Sequence, residues 1–284
     1  MKKSLLFAFL LPMLFCATLD GAAQVQTVLD GAYVPEHNPT RRVIPYPHLR
    51  QADVMWRKRI WEVIDLRQKM NHSLYFPLDP LEDRLSLWNV IRKGLSEGAI
   101  TAYGLGPTQD DDEFRWRMEP GEMDSVLKPI KTSYRPNLDT GEPEEVKVED
   151  PVETDDIVAY KLKEDWIFDK QRSERYVRII GLAPIVLSVT ETGEVKGKKE
   201  LFWLYFPECR YLFANHDVFN LHNDAQRMTF DDLFQKRMFT AYVVKEENVY
   251  NRPIEAYARG IDALLESERI KNDLFVLEHD LWHY

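Results

Sequence analysis

The feature that most constrains this chain is the run from 131 to 156. There Pro136, Pro143 and Pro151 alternate with Glu142, Glu144, Glu145, Glu149, Asp150, Glu153, Asp155 and Asp156. Such a stretch buries too little apolar surface to offset the entropy of ordering it. It reads as an acidic flexible linker, dividing the chain into an N-terminal lobe over 51–130 and a C-terminal lobe over 157–284. Ahead of the first lobe, residues 24–50 carry Pro35, Pro39, Pro45 and Pro47 with little periodicity. Proline fixes φ and pushes its predecessor towards extended geometry, so this segment reads as an extended arm.

The first 23 residues follow a different logic. Lys2 and Lys3, an apolar run from Leu5 to Phe15, and small Gly21, Ala22 and Ala23 stand in the order of a secretory signal. The run is too short to cross a bilayer, which takes roughly 20 apolar residues. The expectation is therefore a signal peptide over 1–23, export, and no direct membrane insertion. Its removal takes Cys16 away and leaves Cys209 alone, so no internal disulfide supports the mature fold. Losing two lysines and Asp20 moves the formal charge from −10 to −11. That balance disfavours nucleic acid, whose phosphates need clustered Lys and Arg.

In the first lobe, Asp53 is placed to cap a helix running to about Met70. At 100° per residue, Trp56, Ile60, Val63, Ile64 and Met70 gather on one side as a core-facing stripe. Val54 and Trp61 fall on the other side, among Arg57, Lys58, Asp65 and Gln68. A tryptophan on a charged face needs a second partner, either another part of the same domain or a neighbouring subunit. A second helix spans Leu81 to Leu95 and is closed by Gly98; Ile100 to Tyr103 then reads as a strand. Asp110 to Asp112 is expected to be a solvated acidic loop.

After the linker the pattern favours strands. One begins at Ile157, another holds Trp166 to Phe168, and Tyr176 to Val189 is rich in branched residues, with Gly181 and Pro184 bending or ending it. Thr192-Gly193 predicts a hairpin turn returning into Leu201 to Phe206. Thr229, Asp231 and Asp232 start a helix through Lys236 that leads into a strand from Phe239 to Val244. Beyond Pro253, a last helix gathers Ile254, Tyr257, Ala258, Ile261, Leu264 and Leu265 on one face. Two strings recur: Leu74-Tyr75-Phe76-Pro77 as Leu204-Tyr205-Phe206-Pro207, and Thr101-Ala102-Tyr103 as Thr240-Ala241-Tyr242. The echo predicts a duplicated unit. The fold class is α+β, with two related mixed α/β lobes of short, mostly antiparallel strands and amphipathic helices.

Residues with the spacing of reaction chemistry do not emerge. Gly104-Leu105-Gly106-Pro107 follows a strand but lacks the helix N-terminus and lysine of a phosphate cradle. Cys209, between Glu208 and Arg210, reads as a small buried hydrophobe. His279 and His283 share a helix face without a third ligand, and His216, Asp217, His222 and Asp224 lack metal-ligand spacing. The sequence names no catalytic, cofactor-binding or metal residue. Its candidate partner-contact residues are Val54, Trp61 and Trp282, because aromatic anchors dominate many interfaces.

Several strings are distinctive as a set. They are the stretch from Lys163 to Asp169 centred on Trp166-Ile167-Phe168, Arg178 to Pro184, and Leu201 to Pro207. Val218-Phe219-Asn220, Asn223-Asp224-Ala225, Phe230 to Phe234, Glu278 to Trp282, and Trp56 to Trp61 near the front complete it. With these the chain resembles the gliding-motility GldN / PorN family over roughly 51–130 and 154–284. The resemblance implies a non-enzymatic, periplasmic structural subunit of the type IX secretion and gliding machinery. It implies ring assembly with an outer-membrane lipoprotein, the K component, and contact with the periplasmic part of the inner-membrane motor component, M. It carries over no catalytic residue. Two other readings stand beside it. A periplasmic adaptor or chaperone would act as a monomer, and a secreted carbohydrate-active hydrolase would need a concave pocket with convergent polar groups.

Overall fold

The computed structural model describes residues 41–81, 84–136, 143–189, 195–220, 223 and 227–280. The signal peptide, the arm before residue 41, the Thr192-Gly193 turn and Trp282 lie outside the described residues.

A long strand, β1 (Val54–Asp65), opens the fold, followed by the short helix α1 (His72–Tyr75) and then α2 (Leu87–Ser96). Next come β2 (Ala102–Gly104), β3 (Trp116–Arg117), α3 (Pro120–Leu127) and the paired strands β4 (Ile130–Pro136) and β5 (Pro143–Glu149). The second half runs through β6 (Ile157–Asp169), β7 (Glu174–Val189), β8 (Val195–Glu200), β9 (Trp203–Tyr205) and α4 (Phe206–Phe213). It ends with β10 (Asp217–Val218), β11 (Met228–Thr229), α5 (Phe230–Gln235), β12 (Tyr242–Glu246) and α6 (Ile261–Asp280). The main sheet is ordered β12-β1-β6-β7-β9-β2-β3, with β8 on the end of β7 and antiparallel pairing throughout. The α+β class holds.

Residues 54–65 form a strand where a helix was expected. Trp56, Ile60 and Ile64 are four apart, and that spacing keeps one face at 100° per residue and also at 180°. The period is therefore ambiguous, and pairing decides it: Ile60 lies opposite Glu164 of β6 and Glu246 of β12. Val63 shows the outcome. It packs with Ala159 and Ile185 on the face away from Ile64, as strand alternation requires.

The two expected lobes share one sheet. Among the described residues, strands from both halves interleave in it. Most of the proposed linker is ordered as the β4–β5 hairpin and the turn entering β6; 137–142 lie outside the described residues. The repeated strings occupy unlike elements. Leu74 and Tyr75 end a helix, whereas Leu204 and Tyr205 are in a strand leading into α4; Tyr103 and Tyr242 lie near opposite ends of the sheet. The recurrence carries no structural equivalence.

The even-numbered side chains Ile64, Tyr160 and Leu162 face the main core, where Phe206, Phe213, Phe230 and Phe234 are buried. Phe234 meets Phe206 at 5.3 Å and Phe213 at 5.9 Å between ring centroids, so much of the aromatic content is core. Thr229 caps α5, its hydroxyl accepting from the Asp232 N–H at 3.2 Å, as its sequence position predicts. Helix α2 starts later than expected because Ser86 supplies its cap, accepting from Asn89 N–H. Strand β7 runs through both Gly181 and Pro184. Gly181 sits where the β6 register shifts, and a Cβ there would meet Phe114 at 2.7 Å and the Trp203 ring at 3.0 Å.

Candidate interaction site

Of the three sequence-predicted contact residues, the structure describes two and does not bring them together as a surface. Val54 is half-buried at the start of β1, opposite Asp169. Trp61 is only 4% exposed. Its indole N–H donates to Asp112 Oδ2 at 2.5 Å, and the ammonium groups of Lys245 and Lys163 lie 4.5 and 5.8 Å from its ring centroid. Lys163 in turn donates to the Asp112 backbone carbonyl at 2.7 Å and to Asp112 Oδ1 at 3.1 Å. The second partner that Trp61 needed is thus within the chain. Asp112, expected to be solvated, is the acceptor that closes this cluster, and Asp111 accepts from the Trp116 indole.

On the opposite face of the same strands lies a second charged cluster. Glu164 is 0% exposed and Glu62 is nearly so. One guanidinium, that of Arg237, spans both: Nη1 donates to the two Glu164 oxygens at 2.8 and 2.9 Å, and Nη2 to Glu62 Oε2 at 3.1 Å. The Trp166 indole N–H adds a donor to Glu164 at 3.2 Å. Burial, reinforced by Glu62, pushes the Glu164 carboxyl up to about 7 against the pull of Arg237. A cavity of about 410 Å³ opens beside this cluster, bounded by Trp166, Arg175, Arg237, Lys271 and Phe275. Its carboxylates are already held by Arg237, an arrangement suited to fixing strands together.

The visible end of the arm is docked on the body. Tyr46 lies with its ring 4.4 Å from the Arg210 guanidinium, and Arg210 is itself paired with buried Asp231 at 2.9 and 3.1 Å. Gln235 donates to the Tyr46 hydroxyl and Arg178 to the Pro47 carbonyl. Arg41 pairs with Asp232 at 2.8 Å. These contacts give residues 41–47 a defined seat on α4 and α5.

Cys209 is buried, and burial pushes its thiol well above the ordinary range. A thiol reagent is expected to leave Cys209 unmodified in the folded protein and to label it on denaturation. Peptide mapping after labelling checks this, and native labelling as fast as denatured labelling would refute it. His216 Nδ1 lies 2.9 Å from the Leu212 carbonyl at the end of α4; His222, Asp224 and His283 fall outside the described residues. Among the described residues no group of three or more His, Cys, Asp or Glu side chains is arranged for a metal ion. No helix among them is long and apolar enough to cross a membrane.

The largest departure from expectation is α6. Of the stripe expected to gather on one face of an amphipathic helix, Ile261, Leu264 and Leu265 are all exposed. The buried face is instead Ser267, Ile270 and Leu274, packed on Ile60 and Val243. Ser267 accepts the Val243 N–H at 2.9 Å, and Lys271 donates to the Ala241 carbonyl, locking the helix to β12. Ile254 and Ala258 do join that core, but Gly260, at φ +60°, breaks the segment and re-aims the helix beyond it. Phe275 and Val276 extend the exposed apolar side. The signal was present in the sequence: apolar residues at 264 and 265 and at 270 and 274 occupy opposite sides of one helix.

Fold and surface together define an α+β protein whose last described helix carries one apolar face inward and another outward. Residues 49–283 match the model of the family described as Gliding motility associated protein GldN, and the chain belongs to that family. Membership ties it to the gliding-motility machinery, and the family is not a known family of enzymes. No curated protein matches the chain.

Proposed function

We propose that this chain is a non-enzymatic structural subunit of a periplasmic ring complex in the type IX secretion and gliding machinery. The observation that carries the reading is the family match across 49–283. Residues 1–23 direct export as a signal peptide, and the mature chain is held at the outer membrane through the K lipoprotein. It contacts the periplasmic region of the motor component M and associates with further copies of itself. The outward apolar face of α6 supports a role in assembly, because exposed apolar patches of this kind mark protein contacts.

The test is isolation of the native envelope complex through a tag on this chain, followed by mass spectrometry of what accompanies it. A large assembly containing an outer-membrane lipoprotein is the expected result. A chain recovered only as a monomer, from any compartment, would overturn the reading.

A further inference from the structure

We infer that the face made by α4, α5 and β7 is a recognition groove for a proline-rich segment in polyproline II form, and that the chain's own arm occupies it as a displaceable strap. Along residues 41–50 the half-buried positions are Val43, Tyr46 and Leu49, every third residue, and the others are exposed. A strand would bury alternate residues, whereas a polyproline II helix turns once in three. Arg50, at φ −82° and ψ 145°, ends the segment in that conformation. Pro45 and Pro47 flank Tyr46 and hold their own φ near the value it needs. Side chains of the body meet main-chain groups of the segment. The Arg41 N–H donates to Asn215 Oδ1 at 3.0 Å, and the Pro47 carbonyl accepts from Arg178 Nη2 at 2.5 Å.

The groove reads the segment chiefly at Tyr46. Its ring centroid lies 4.4 Å from the Arg210 guanidinium carbon and 5.3 Å from that of Arg178, and its hydroxyl accepts from Gln235 at 2.9 Å. Guanidinium groups over an aromatic face attract it, the more so where water is excluded. Buried Arg210 is fixed by Asp231, so this part of the seat belongs to the body. The Arg41–Asp232 pair is open to solvent and adds little. Arg178 Nε is buried without a hydrogen-bond partner among the described residues, so the arm does not use all that the groove offers. Polyproline segments dock at low entropic cost because the free chain already visits that form, and the same property lets one replace another. A partner's proline-rich segment with an aromatic residue at the central register fits this groove once the strap lifts.

The experiment follows the fluorescence anisotropy of a labelled peptide of residues 41–50 added to chains of residues 24–284. The wild-type chain is expected to bind it weakly, because its own arm competes at the high effective concentration of a short tether. Tyr46→Ala in the chain frees the groove and is expected to raise the peptide's affinity by about tenfold or more. Tyr46 is not part of the buried core, so this variant keeps its fold. Arg178→Met added to it is expected to lower the affinity again by about tenfold, through loss of the charged donor to Pro47. Tyr46→Ala in the peptide is expected to abolish binding. Pro45→Gly with Pro47→Gly in the peptide is expected to weaken it severalfold, since ordering entropy is then lost on docking. Trypsin reports the strap itself: cleavage after Arg50 is expected to quicken in the Tyr46→Ala chain while the rest of the body stays resistant. Equal binding by wild-type and Tyr46→Ala chains, binding by neither, or full binding of either substituted peptide would each overturn the groove. None of these results bears on the ring-subunit reading, which the envelope isolation decides separately.

Discussion

Replacing Arg237 with methionine is expected to destabilise the fold by about 3–5 kcal/mol near pH 8, because it strands two buried carboxylates without their shared cation. Urea denaturation followed by tryptophan fluorescence measures it. The loss should shrink on acidification, when Glu164 can take a proton in place of the guanidinium. The sign comes from linkage. The Glu164 carboxyl lies near 7 in the fold and near 4.5 in the open chain, so between those values the folded state binds more protons. Its contribution therefore favours the fold most below 4.5 and is lost as pH rises through about 7. Asp65, held below the usual range by Arg67, runs the other way, so the comparison should be between wild type and Glu164→Gln. The glutamine variant is expected to lose the part of the stability decline that falls between pH 5 and 7.5, on the order of 2 kcal/mol. Identical pH profiles for the two proteins would show that Glu164 does not titrate there. An Arg237→Met variant as stable as wild type would remove the ion cluster from any account of this fold.

Replacing Trp61 with alanine is expected to cost about 3–5 kcal/mol, the range for deleting a buried large aromatic. The loss has two parts. A cavity opens among Ala183, Trp203 and Val244, and Asp112 loses the indole donor that offsets its burial. Trp61→Phe keeps most of the volume and removes the hydrogen bond, so a smaller loss of roughly 1–2 kcal/mol is expected. Calorimetry of the three proteins separates the two parts. If Trp61→Ala melts with wild type and only its assembly is weakened, the residue is a contact point between subunits and its burial within one chain is not what matters.

Trp61 also shows what the sequence could and could not reveal. That it required a second partner was legible, because an indole set among charges needs an acceptor. That the acceptor was Asp112, fifty-one residues on, depended on a loop that only the folded sheet brings back over β1. The helix assigned to 53–70 failed for a local reason: Trp56, Ile60 and Ile64 satisfy two periods at once, and the choice lay in neighbours far away in the chain. Where the deciding contact was local, the reading survived, as in the Thr229 cap of α5 or the closure of α2 at Gly98, which has φ +69°. The acidic run misled because composition reports the burial a segment can supply, not the pairing that two short strands can supply to each other. For α6, the stripe read from the sequence was the apolar face nearest its start. A helix apolar on two sides leaves that choice to the sheet, which took Ile270 and Leu274.

The placement of β1 governs when this protein can become itself. Its two neighbours are β6 and β12, so Ile60 waits for Glu164 and then for Glu246, near the far end of the chain. Contacts of such sequence separation form slowly, since the loop must close before they contribute. A chain threaded amino end first through a narrow passage would have passed almost entirely before this first strand could be flanked on both sides, and its edge would stay open until then.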